Sequence, residues 1–180
     1  MGTFTDYQFL SISMNRRRYL ALAGLGIGAV GGYTGWRWYR APSVPDGMSV
    51  QPRHFERDIL TEQTSRSSDF LEWKSEYQTV ISDPETADRV LIDDRSITRF
   101  LDDTDFEASY LIVVQNGMQS EMELELDSIT RREDGLHLDI SIDPPQSGPD
   151  DLGIHSLLIR ITDETGDVPD DVSVTITGYV

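Results

Sequence analysis

The sequence predicts a mainly β domain, an antiparallel β-sandwich or barrel-like sheet with one short helix, preceded by an N-terminal transmembrane or signal helix. Three observations point there. Beyond residue 68 apolar residues recur with period two, as half-buried strands require. Turn dipeptides and prolines part these runs at short intervals. One uncharged stretch, Tyr19 to Trp36, stands directly behind Arg16-Arg17-Arg18.

The uncharged stretch sets the domain plan. At about 1.5 Å per residue it makes a helix of roughly 27 Å, just short of the ~30 Å hydrocarbon core. Residues 19–36 are therefore expected to contact the lipid bilayer. Its glycines each weaken a helix by about 1 kcal/mol, so the span is marginal. Asn15-Arg16-Arg17-Arg18-Tyr19-Leu20 resembles a twin-arginine export signal, with Arg16, Arg17, Tyr19 and Leu20 as the targeting residues. That resemblance implies a domain folded before export. Tyr33, Trp36, Arg37, Trp38, Tyr39 and Arg40 form an aromatic and cationic cluster suited to a membrane interface. The candidate cleavage site, Ala29-Val30-Gly31, lies inside the apolar run, which favours an anchor that is not cleaved. The expected topology is single-pass, N-terminus cytoplasmic and the following domain outside, or secreted if the signal is removed. Gly24, Gly28 and Gly32 share one helical face and offer a site for homodimer packing.

Residues 1–13 read as an N-terminal extension, with Met14 as an alternative start; 14–40 as signal and anchor; 41–68, with Pro42, Pro45, Asp46-Gly47, Pro52 and the polar run Thr64 to Ser68, as a flexible linker; and 69–180 as an acidic domain outside the cytoplasm. All but one (Asp6) of 32 acidic residues, but only ten of 15 basic ones, lie beyond residue 40. The net charge there is about −21, which self-repels until salt screens it. This composition resembles that of proteins from extremely halophilic archaea. It argues against nucleic acid as a partner. With no cysteine there are no disulfides and no thiol to lipidate.

Within the domain each element has its own signal. Leu71, Trp73, Tyr77 and Ile81 share one parity and read as a half-buried strand, after which Asp83-Pro84 turns the chain. Ser96 to Leu101 reads as a short helix capped by Asp94 or Ser96. Ser109 to Gln115 is apolar at both parities, so both faces should be covered, and Asn116-Gly117 follows as a turn pair. Met122, Leu124 and Leu126 alternate with Glu121, Glu123 and Glu125, and the phase changes at Ile129, which predicts a bulge near Asp127-Ser128. Strands are expected again at Leu136 to Ile142, Leu157 to Ile161 and Val172 to Val180, giving five or six in all.

From Leu91 to Ile176 the order of short helix, Asp103-to-Phe106 lead, apolar strand, long hairpin, Pro144-Pro145 stop and last strand is similar to the C-terminal domain of PrcB-type protease-complex proteins. The family's paired-glycine and aromatic hairpin motif is replaced here by Gln115-Asn116-Gly117-Met118-Gln119-Ser120, with one Gly and no aromatic.

Candidate chemistry is sparse. His137, Asp139 and Ser141 are the residue types of a hydrolytic triad, but i and i+2 side chains on a strand stand roughly 7 Å apart, beyond triad contact. His54 and His155 show no metal-ligand spacing. The acidic loops are the better candidates: Asp102, Asp103 and Asp105 offer oxygen ligands to Ca²⁺, as do Asp150-Asp151 and Asp163 to Asp167, though none completes a calcium loop. No other cofactor is expected. The sequence points to a membrane-anchored, non-enzymatic β-domain that binds an unidentified protein partner. The alternatives are an exported hydrolase using acidic residues with a divalent cation, and an accessory subunit of a membrane complex.

Overall fold

The computed structural model describes residues 41–61, 74–133, 135–143, 151–165 and 167–179. Seven strands and two helices appear among them: β1 (Met48–Phe55), β2 (Glu76–Ile81), α1 (Pro84–Val90), α2 (Arg95–Asp102), β3 (Ser109–Gln119), β4 (Glu123–Arg132), β5 (Gly135–Asp143), β6 (Leu152–Asp163) and β7 (Asp171–Thr177). They form a four-stranded sheet of order β1-β6-β3-β2 and a three-stranded sheet of order β4-β5-β7. The four-stranded sheet is antiparallel throughout. In the other, β4 pairs antiparallel with β5 but β5 pairs parallel with β7, because β6 intervenes in the opposite sheet before the chain crosses back.

Parity explains the layers. On β3, Tyr110, Ile112, Val114 and Met118 face the three-stranded sheet and join Leu157, Ile159 and Ile161 of β6 in the inter-sheet core. The opposite face of the same strands, Leu111, Val113 and Leu158, packs with Ala87 of α1 and with Ile97 and Phe100 of α2. A strand covered on both sides has no solvent face, hence the unbroken apolar run. The helices hold that outer layer through specific ends. Asp83 caps α1 by accepting from the Thr86 amide at 2.8 Å, with Pro84 in the first turn. Asp94 caps α2 through the Ser96 amide at 2.8 Å and pairs with Arg57 at 2.7 Å. These bonds draw the Asp94 carboxyl far below its usual range, the Ser96 and Arg57 side chains first.

Three expectations are corrected. Residues 41–61 are not a linker: Met48–Phe55 is an edge strand paired along its length with β6. Before it, Ser43 bonds the bulge of β4 through its own amide to the Asp127 carbonyl (2.9 Å) and its carbonyl to the Ile129 amide (2.8 Å). The proline content misleads because an edge strand tolerates Pro52. The Asp83-Pro84 turn is instead the start of α1. Asn116-Gly117 is not a turn: β3 continues to Gln119 because twelve-residue β6 pairs with it there, Asn116 opposite His155 and Gly117 opposite Ile154. The reversal comes at Gln119 to Met122. Residues 62–73, with Leu71 and Trp73 of the expected strand, lie outside the described residues. The bulge is where the alternation placed it, between Leu126 and Ser128.

Candidate functional site

Polar ties close the two open ends of the sandwich. At one end Asn116 on β3 donates through Nδ2 to Tyr179 Oη (2.7 Å), and that hydroxyl donates to Glu76 Oε1 on β2 (3.2 Å). The Lys74 ammonium lies 4.6 Å from the centre of the Tyr179 ring, within cation–π range. Burial and the Glu76 charge push the Tyr179 phenol up to about 12.

The other end carries the best-built polar cleft. The β4 bulge shifts strand parity by one, so Ile129 and Arg131, rather than Thr130, turn inward. Arg131 thereby reaches across to β6, where its Nη2 donates to Asp163 Oδ1 at 2.7 Å. The same oxygen accepts from the Thr165 amide (3.0 Å) and hydroxyl (2.8 Å), while the buried Oδ2 has no protein partner. The Asp163 side chain is 2% exposed and that of Arg131 37%. The guanidinium hydrogen bond holds the Asp163 carboxyl below its ordinary range, against the opposing effect of burial. Tyr110 sits beside the pair, its phenol raised to about 12 by burial and by the Asp163 charge. It is a neutral donor at physiological pH. Together with Arg132, Asp167 and Asp170 these residues line an open cleft of about 620 Å³. It offers guanidinium and phenol donors beside carboxylate acceptors, a surface for polar recognition.

Arg131→Met would leave a buried carboxylate without its cation. The expected cost is about 2–3 kcal/mol of stability, read as a lower denaturation midpoint in molar salt. The loss is expected to shrink as pH falls through the Asp163 titration. A carboxyl held low contributes stability above its unfolded pKa, and that contribution disappears on acidification.

The sequence-derived residues distribute unevenly. Asp102 and Asp105 line a second open cleft of about 620 Å³ with Asp83, Asp88 and Glu107. Asp103 is outside it, its carbonyl accepting from Arg160 at 2.6 Å. Among the described residues no group of three His, Asp or Glu side chains is placed to hold a metal ion. Asp150 lies outside the described residues, and Asp151 accepts from the Ser120 hydroxyl at 2.6 Å. Arg16, Arg17, Tyr19, Leu20, Gly24, Gly28, Gly32 and the Tyr33, Trp36, Arg37, Trp38, Tyr39, Arg40 cluster also lie outside the described residues.

His137 makes closer contacts than strand spacing suggested. Its Nε2 is 3.3 Å from Asp139 Oδ1, and its Nδ1 is 2.9 Å from the hydroxyl of Ser173, which the parallel register sets opposite it on β7. Ser141 bonds Asp127 instead, at 3.1 Å. Ser173 also bonds the Leu136 carbonyl at 3.3 Å, and Thr175 reaches His137 Nε2 at 3.3 Å. The group is a polar ladder that ties β7 to β5 on the open face of the sheet. His54 and His155, unrelated by spacing, meet with 3.1 Å between Nε2 and Nδ1. No protein-family model, curated protein or solved structure matches the chain.

Proposed function

We propose that the protein is a membrane-anchored β-domain displayed outside the cytoplasm that works by binding another protein. The observation that carries this reading is how the fold uses its chemical groups. Among the described residues, the charged and polar clusters bridge one element to another. Arg131–Asp163 joins the two sheets, Arg57–Asp94 ties the segment after β1 to the cap of α2, and His137–Ser173 joins β5 to β7. What is left for recognition is surface shape and charge, above all the cleft beside Arg131 and Asp163. Anchoring rests on the Arg16-to-Trp36 segment.

The full chain, tagged and extracted from membranes in molar salt, is expected to co-purify with a partner at fixed stoichiometry. Recovery as a soluble monomer alone would defeat the reading, and co-purification with integral subunits would place it in a membrane complex. A second reading, a hydrolase assisted by a divalent cation, draws on the five carboxylates that line the Asp102–Asp105 cleft. It requires hydrolytic activity that responds to added Ca²⁺ or Mg²⁺ and falls in Asp105→Asn.

A further inference from the structure

The two histidines that meet inside the sandwich stand apart from the other polar clusters. His54 lies on β1, on the inward parity of Met48 and Val50, and His155 lies on β6, on the parity of Leu157 and Ile159. His155 is 1% exposed. The rings are parallel to within 6°, their centroids 5.3 Å apart and the facing nitrogens 3.1 Å apart. Parallel rings whose nitrogens approach that much more closely than their centres meet edge to edge. One hydrogen therefore lies between two nitrogens, and the bond exists only while at least one ring supplies a lone pair.

The pair sits at a seam. His54, Leu124, Leu126 and Leu157 line a narrow slot of about 150 Å³ between the edge strands β1 and β4, with Pro42 and Pro52 at its rim. Leu124, Leu126 and Leu157 belong to the inter-sheet core. Charged groups approach from each side. Arg53, Glu56 and Arg57 flank His54 along its own segment, and Glu123, Glu125 and Asp127 lie toward it from β4. From β6 the neighbour is His155 itself, and from β3 the register partner of His155 is the uncharged Asn116.

We propose that the His54–His155 pair is a pH-sensitive latch on the β1/β4 seam, closed by one N–H···N bond when both rings are neutral and released when both carry protons. Two imidazolium rings in this geometry would set N–H against N–H, with the buried His155 unable to turn to water. Release frees β1 from that contact and admits water, or an apolar partner side chain, to Leu124, Leu126 and Leu157. The β4 carboxylates are the counter-charges that the imidazolium of His54 meets as the seam opens.

The direction of the pH response follows from burial. Burial, and then the neighbouring His155, lower His54 from 6.5 to about 4. Burial also lowers His155, opposed by a hydrogen bond to the Gln119 backbone. A basic group held low in the folded state binds its proton more readily once released. The closed form is therefore fully favoured above pH 6.5 and loses ground as pH falls toward 4. Each pH unit in that window raises the opening constant by up to about tenfold per histidine.

The test is amide hydrogen exchange of the full chain in molar salt from pH 7 to pH 4, corrected for intrinsic exchange, alongside binding of an apolar dye. The expected result is loss of protection in Met48–Phe55 ahead of β3 and β5, with dye uptake over the same window. In His54→Gln/His155→Gln, β1 is expected to lose no more protection than β3. An unchanged profile in that variant would overturn the latch. If the variant does not fold, ¹⁵N-histidine titration of the unaltered chain decides: depressed titration of both rings supports the latch, and ordinary titration near 6.5 overturns it.

Discussion

Deleting residues 171–180 from the full chain is expected to abolish the cooperative thermal transition of the domain. β7 is an edge strand, but Val172 and Ile176 are buried in the inter-sheet core, with Val174 and Tyr179 packed against it. Two such apolar side chains stabilise by about 1.5–3 kcal/mol each. The deletion also removes β5's partner along seven residues, leaves His137 without Ser173 and Thr175, and takes Tyr179 from buried Asn116. Against a typical domain stability of about 5–15 kcal/mol, little of the native state should survive. Calorimetry in molar salt is the measurement. A truncated chain that still melts in one sharp endotherm would show that β7 is an accessory.

Among the glycines of the described residues, Gly135→Ala is expected to be the most damaging methyl addition. Gly135 opens β5 opposite the start of β7, and a Cβ there would lie 1.9 Å from the Asp171 carbonyl oxygen. The obstacle is backbone within a strand pair, so no side-chain rotation relieves it. The cost should be about 3 kcal/mol or more, at the upper end for overpacking. Gly153→Ala on β6 is the control, since its Cβ would meet only His155 Nε2 at 3.9 Å. Chemical denaturation of the two variants should separate them clearly; equal midpoints would refute the close approach.

The sequence disclosed what depends on alternation and little of what depends on long-range pairing. The bulge in β4 was legible because the apolar phase changes within one strand, and the buried status of β3 because both its parities are apolar. α1 escaped because its seven residues bury only Ala87, so no periodicity marks it, although Asp83-Pro84-Glu85 is a helix-start pattern as well as a turn pattern. The Asn116-Gly117 turn failed because a local preference for positive φ lost to eleven pairs with β6. Linker chemistry before Met48 hid an edge strand whose partner lies over a hundred residues away. The same reason hid the candidate site. Arg131–Asp163 spans 32 residues, His137–Ser173 36 and His54–His155 101, separations at which no spacing rule operates.

The attachment of Ser43 to β4 also has a mechanical meaning. Tension arriving along the chain from residue 40 meets two backbone hydrogen bonds at the bulge, 2.9 and 2.8 Å long, before it reaches Met48. The load enters the three-stranded sheet first. β1, in the other sheet, is shielded from a pull until that clamp yields, and His54 with it. A pull on residue 40 is thus borne first by β4 and only afterwards by the β1–β6 pairing.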